Sequence, residues 1–341
     1  MRACSNCGVC NAKIPDFEQA LKNEKEIMNA SFLLAPMAEL SHQALRILIE
    51  EFGGCDEYFT EMISAGALLA GGPFESWYID GGPRPEKLVY QLVGADVEQM
   101  VKAAALLDSR ECAGIDINMG CSAPLIRKTG AGVDWMASIG RAGDLIGRVR
   151  RAVKRRLSVK LRLGFKDDFD YLVSFCRRLE AEGAELITLH PRTAGEKFKR
   201  QARWDTVAAL RRELRIPVAG NGDINTAADL LRRSQGPCDA VMVGRAAVRQ
   251  PWIFTEARNW AAANEGGSIP RQIEETGLRF LELLARYQPP EFHLSRARRF
   301  FAYFCDNLKW GNYLKNLLNR EDSLPGIERV WRAYFSEHAI N

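Results

Sequence analysis

"IPVAGNGDI" (216–224) and "DAVMVGRA" (239–246) decide how this chain is read. Each is a short apolar run that stops at a glycine next to a polar residue. The segment between them, 226–233, carries apolar residues at helical spacing with a charged opposite face. A strand, a helix and a second strand imply a parallel pair, because parallel strands need a crossover. The same unit recurs upstream in "SFLLAPM" (31–37), "DEYFTEM" (56–62), "KLVYQLVG" (87–94) and "AGIDINMG" (113–120). It continues in "SVKLRLG" (158–164) and "ELITLHPR" (185–192), with helical patterning at 97–109, 141–156, 170–183 and 203–213. Eight such units predict an α/β fold, a (β/α)8 TIM barrel, in preference to a doubly wound sheet.

The bulk composition fits that frame. The 341 residues, 47% hydrophobic and 26% charged, suffice for one domain of about 250 residues and an appendage of up to about 100. Strand signals stop near 255, and helices are expected over 272–288, 293–318 and about 325–336. The predicted divisions are an N-terminal extension (1–30) with a surface helix over 15–28, a barrel (31–262) and a small all-helical domain (270–341). Gly-Gly and Pro in "NEGGSIPRQ" (264–272) mark the joint. No apolar run is long enough for a membrane span, and the first residues lack a signal core. Nine cysteines, an odd number, argue for reduced thiols and a cytoplasmic location. The net charge of +4 permits a nucleic-acid partner without requiring one.

All strand C-termini of such a barrel share one face. Gln91, Asn118, Cys121, Lys160, His190, Arg192, Asn221, Asp223 and Arg245 should therefore converge on one pocket. Gly222 and Gly244 let backbone approach an anion, and Asn221, Asp223 and Arg245 add polar groups that a turn does not need, so a phosphate site is expected there. Ala35, Pro36 and Met37 would pack one face of a flat ring. Gln91 offers a donor and an acceptor to its edge. Lys160, on an apolar strand, needs an anionic partner, which a reduced flavin would provide, and His190 could donate to the ring or a substrate carbonyl. Turn glycines without a ligand, an internal salt bridge for Lys160 and a satisfied core histidine at 190 are the competing readings.

The ordered set "LAPM", "TEM", "QLVG", "DINMGC", "KLRLG", "LHPRT", "NGDI" and "MVGRAA…PWIF" resembles the tRNA-dihydrouridine synthases over about residues 31–258. The resemblance implies an FMN-dependent reductase of the uridine C5=C6 bond in tRNA, with NAD(P)H or a reduced electron carrier as donor. Gln91, Lys160 and His190 would then hold the flavin ring, and Asn221, Gly222, Asp223, Gly244 and Arg245 its phosphate side. Asn118, Arg192 and Thr193 would meet the substrate. Hydride would reach uracil C6 from the flavin, and Cys121 would protonate C5; a thiol of ordinary pKa near 8.5 is a reasonable acid at neutral pH. The base would have to leave its stack to be reached. The loop "TAGEKFKRQAR" (193–203) and Arg296, Arg298 and Arg299 of the tail are placed to track phosphates. "RVRRAVKRR" (148–156) and "RRELR" (211–215) lead into strands from the opposite face and read as solvated helix surface.

Two features depart from the family pattern. Ser122 follows Cys121 where proline is usual, and proline comes only at 124. Cys4, Cys7 and Cys10 form a C-x2-C-x2-C run, the spacing of a [4Fe–4S] ligand set, with zinc and unliganded thiols as alternatives. Cys305, Cys55, Cys112 and Cys238 are candidates for a fourth ligand. Two other functions stay open: a flavin and iron–sulfur reductase of a small-molecule alkene, and a non-catalytic RNA-binding or redox-sensing barrel.

Overall fold

Seven of the eight predicted runs contain a strand, and the run at 158–164 covers all but the first two residues of one. The strands are β1 (Ser31–Leu34), β2 (Glu57–Phe59), β4 (Leu88–Val93), β5 (Gly114–Met119), β6 (Arg156–Arg162), β7 (Leu186–His190), β8 (Val218–Asn221) and β9 (Ala240–Val243). The structure, a computed structural model, describes residues 30–196, 199–263 and 272–338. All pairings are parallel; β1 pairs with β2 and β9, and β2 pairs with β4, so the eight close into a (β/α)8 barrel. The short β3 (Ile63–Ser64) pairs only with β4. The run at 56–62 breaks after Phe59, although the Thr60 amide still donates to the Val89 carbonyl at 3.0 Å. The Thr60 hydroxyl accepts the Gln91 amide at 3.0 Å and donates to the Glu61 carbonyl at 2.8 Å.

The crossover helices start where short polar side chains can cap them. Asp96 accepts the amide of Gln99 and Asp168 that of Tyr171, while Thr226 and Asp229 form a reciprocal capping box. Their apolar faces pack on the outside of the strands in one continuous core. Leu33, Phe59, Val89, Leu186, Ala219, Ala240 and Met242 form a smaller, separate cluster inside the barrel. At its N-terminal end Arg156 of β6 reaches across to Glu57 of β2 with paired hydrogen bonds of 2.5 and 2.6 Å. Arg155 binds Asp108 and the Cys112 carbonyl nearby, so the basic run 148–156 serves the closed end of the barrel.

Beyond the barrel, four helices fold together: Ile273–Tyr287, His293–Phe304, Gly311–Leu318 and Leu324–His338. The single helix predicted over 293–318 is two, broken at Cys305–Asn307. A side chain on Gly311 would stand 1.9 Å from the Cys305 carbonyl oxygen, so glycine is what lets the turn close there. Phe280 and Phe300 stack at 3.7 Å, and Phe301, Phe304 and Trp331 surround them. This core is continuous with the barrel's, and Arg279 binds Glu51 of the first barrel helix (Gln43–Glu51). Below that contact Arg296 meets Glu61 at 3.0 Å, their side chains 3% and 6% exposed. Arg296 therefore joins the two parts and is not available to a phosphate. Arg298 donates to the Glu321 carbonyl at 2.6 Å, which leaves Arg299 as the exposed cation of the three.

The helix expected over 15–28, the joint at 264–271 and Cys4, Cys7 and Cys10 lie outside the described residues. Among the described residues no helix is long and apolar enough to cross a membrane.

Candidate active site

A cavity of about 430 Å³ opens at the C-terminal ends of the strands. Ala35, Pro36 and Met37 border it after β1, Asn118 on β5 and Cys121 after it, Lys160 on β6, and His190 at the end of β7 with Arg192 after it. Asn221 ends β8, Gly222 and Asp223 follow it, and Gly244 and Arg245 follow β9. Residues separated by two hundred positions meet because a closed parallel barrel brings every strand end to one rim.

Two predicted residues do not line it. Gln91 is fully buried one layer down, with both ends of its amide engaged: Nε2 donates to Asp116 at 2.7 Å and Oε1 accepts from Asn118 Nδ2 at 2.8 Å. Thr193 turns away after β7, its amide bound to Glu196 and its carbonyl to Arg162. Gln91 thus reaches the cavity through Asn118. Asp116 also accepts from Ser158 at 2.6 Å, and burial, opposed by these hydrogen bonds, raises its carboxyl to about 6. At the top of this column, Asn118 Oδ1 accepts the amides of Gly120 at 3.1 Å and Cys121 at 2.9 Å. One N–H of the Asn118 amide is spent on Gln91; the other is available to the cavity.

A second network stands on the β7 and β8 side of the cavity. Arg192, 3% exposed, points Nη2 at both oxygens of Asp223 (2.6 and 2.8 Å) and Nε at the Arg200 carbonyl (2.5 Å). Its Nη1 lies 3.0 Å from His190 Nε2. A guanidinium only donates, so Nε2 accepts and the imidazole proton belongs on Nδ1. Burial, followed by the charges of Lys160, Arg162, Arg192 and Arg245, drives the His190 pKa far down, and the ring is neutral. Arg192 is accordingly an orienting residue whose donors are almost all committed. Asp223 takes a left-handed backbone, φ 53°, beside Gly222 at φ 123°. Burial would raise its carboxyl, but the Ala202 amide and the Arg192 guanidinium hold it below its ordinary value.

Lys160 differs from its neighbours. No hydrogen bond or ion pair engages its ammonium among the described residues, although it lines the cavity. Burial and the charge of Arg162 push it down to about 8, against the pull of Asp116 and Cys121. The site therefore offers a cation that Asp116 attracts only from beyond ion-pair distance.

Arg162, Met62 and Met242 also border the cavity and were not anticipated. Arg162 was findable: side chains on a strand alternate, so a Lys160 that faces the mouth puts Arg162 on the same face. It donates to the Gly120 carbonyl at 3.0 Å, behind the cysteine loop. The displaced proline has a structural use, since Pro124 is the first residue of a short helix (Pro124–Arg127) whose start borders the cavity. Ser122 takes the place next to Cys121 on the cavity wall.

The thiols proposed as a fourth metal ligand are sequestered. Cys55, Cys112 and Cys305 are buried, and burial pushes Cys305 up to about 12 and Cys238 to about 11. Among the described residues no group of three His, Cys, Asp or Glu side chains could hold a metal.

The model of the family described as "Dihydrouridine synthase (Dus)" matches residues 33–329. A probable tRNA-dihydrouridine synthase of Aquifex aeolicus is 34% identical over 232 residues, covering 66% of this chain and 71% of that one. A probable tRNA-dihydrouridine synthase of Mycobacterium tuberculosis is 30% identical over 307 residues, covering 84% and 77%. The tRNA-dihydrouridine synthase B of Xanthomonas axonopodis pv. citri is 28% identical over 308 residues, covering 89% and 92%. The match spans the whole barrel, the cavity and most of the helical tail: this chain belongs to the dihydrouridine synthase family and is an oxidoreductase.

Proposed function

We propose that the enzyme reduces the C5=C6 bond of a uridine in tRNA, with FMN in the barrel mouth and Cys121 as the proton donor. The observation that carries this reading is the Lys160 ammonium, which faces the cavity with no hydrogen bond or ion pair among the described residues, while Cys121 lines the same cavity. A buried cation in that state suits a ligand with a negative edge, and reduced flavin has one at N1–C2=O. Thr188 Oγ1, aligned with Lys160 in the β6–β7 ladder, is a second buried polar atom without a partner.

Lys160 would hold the ring edge, with Ala35, Pro36 and Met37 against its face. Gly222, Asp223, Gly244 and Arg245, with Asn221, would take the phosphate end. Asn221 is kept in place by its Nδ2, which donates to the Met242 carbonyl at 2.8 Å. FMN bound there would supply the hydride that uracil C6 needs. Neutral His190, its Nε2 facing Arg192, would help line the ring's binding site and lacks the extra proton that an imidazolium acid would need at neutral pH. The free N–H of Asn118 would orient the uracil, and Cys121 Sγ–H would give its proton to C5. A hydride and a proton together account for the reduction, and the thiolate regains its proton from solvent. NAD(P)H or a reduced carrier would restore the flavin. The names of the relatives support tRNA as the substrate, and a tRNA substrate in turn supports a cytoplasmic location.

The test is to digest tRNA from a strain lacking this protein and measure dihydrouridine by mass spectrometry. The expected result is the loss of dihydrouridine at one or more positions, restored by the purified enzyme. An unchanged content at every position would overturn the proposal and leave a small-molecule alkene as the substrate to examine.

A further inference from the structure

A second recess, of about 340 Å³, lies on the helical tail where the chain turns from His293–Phe304 into Gly311–Leu318. Its floor includes Cys305, Leu308 and Gly311, and its walls carry Lys309, Trp310 and Tyr313. Trp310 is 54% exposed and Tyr313 59%, although large aromatics are ordinarily drawn into cores. Every other tryptophan whose burial is described is less exposed than Trp310, and Trp135, Trp252 and Trp331 are fully buried. The tail thus has a complete aromatic core and leaves these two rings outside it.

The surroundings are cationic. Lys309 Nζ lies 5.6 Å from the Trp310 ring centre. Lys315 bonds Asp306, which removes the acidic group of the recess as a source of repulsion. The recess is also tied to the active-site rim. Asn307 Nδ2 donates to the Arg249 carbonyl at 2.6 Å, and the Arg249 guanidinium bonds the carbonyl of Asn225, a residue of the cavity wall. Arg249 ends the five-residue helix that starts at Arg245 on the same rim, a span of about 7 Å.

We infer that the Trp310–Tyr313 recess binds an unpaired nucleobase of the RNA, stacked on one or both rings, while the target uridine occupies the barrel cavity. Exposed aromatics set among cations are how proteins hold unstacked bases with little regard to sequence, because every base has a π-face. Asn312 on the wall could meet a base edge. This inference rests on RNA being the substrate. It adds a second grip on the same molecule, at a distance fixed by the Arg245–Arg249 helix.

The experiment uses the full-length enzyme and tRNA lacking dihydrouridine, with Kd from filter binding and KM and kcat from turnover. Trp310→Ala and Tyr313→Ala should each raise Kd and KM about tenfold, the scale that one stacked base gives. Trp310→Phe should stay within about threefold of wild type, because it keeps a π-face. Flavin content, melting temperature and kcat should not move. The salt dependence of binding should keep its slope in Trp310→Ala, since stacking releases no counterions, whereas loss of a phosphate contact would reduce it. Alanine variants that match wild type in Kd overturn the inference. So does a weaker Trp310→Ala accompanied by an equally weak Trp310→Phe. If RNA affinity is unchanged but Trp310→Ala abolishes a concentration-dependent dimer, the recess belongs to a second copy of the chain. A wild-type enzyme that neither binds nor reduces tRNA overturns the proposed function itself, a result distinct from variants that equal an active wild type.

Discussion

Asn118 Oδ1 accepts the backbone amide of Cys121 at 2.9 Å, so the asparagine at the end of β5 sets the position of the thiol three residues later. Asn118→Ala should therefore lower kcat, by about 10²-fold, and leave bound flavin in place. Cys121→Ala should cost about 10²–10⁴-fold, the range of general acid catalysis. In the double variant the asparagine change should add little, because it acts through a thiol that is no longer there. Single-turnover rates for the four proteins test this; fully multiplicative losses would separate Asn118 from the thiol.

Lys160 makes ligand binding pH-dependent. With its pKa near 8 in the ligand-free protein, it begins to lose its charge as pH rises through 8. The affinity for FMN should then fall between pH 7 and 9.5, and Lys160→Met should bind more weakly with a flat profile. The sign for stability is the reverse. A depressed lysine adds stability that is complete above its ordinary value of 10.5 and is lost as pH falls through about 8. The ligand-free enzyme should thus gain stability against urea between pH 8 and 10.5, relative to Lys160→Met.

Asp223 and Arg192 should behave as one unit. Asp223→Asn leaves a 3%-exposed guanidinium with weaker acceptors, at a cost of about 1–3 kcal/mol in urea unfolding. Because the folded pKa is depressed, the carboxylate's contribution is present above its ordinary value of 3.8 and is lost as pH falls through the lower folded value. The difference between wild type and Asp223→Asn should narrow only at such acidic pH.

The Glu61–Arg296 pair predicts how the tail is held. Both side chains are nearly inaccessible, so Glu61→Ala or Arg296→Met should cost about 3–5 kcal/mol by leaving one buried charge. Replacing both with methionine should recover much of that loss. Limited proteolysis should show faster cleavage between barrel and tail in the single variants than in the double.

The barrel was legible because eight short apolar runs alternate with helical patterning, and each run falls on one of the eight strands that close. The convergence of Cys121, Lys160, His190 and Asp223 followed from the same rule. What stayed hidden concerns side-chain direction and shared partners. Gln91 shares its strand face with the inner layer, and nothing in a linear sequence says that Asp116 and Asn118 use both ends of its amide. Arg296 sits in a string of arginines that reads as RNA-facing, and only its Glu61 partner, 235 residues away, turns it inward. The turn at Cys305–Gly311 was missed because helical periodicity continues on both sides of it.

The column Ser158–Asp116–Gln91–Asn118 draws on three strands and ends on the Cys121 amide. The cysteine loop is therefore not a portable cassette. Grafted alone onto another (β/α)8 scaffold, it would arrive without the internal scaffolding that aims it. A designer who wished to move this chemistry would have to carry residues from the heart of the barrel along with those visible at its mouth.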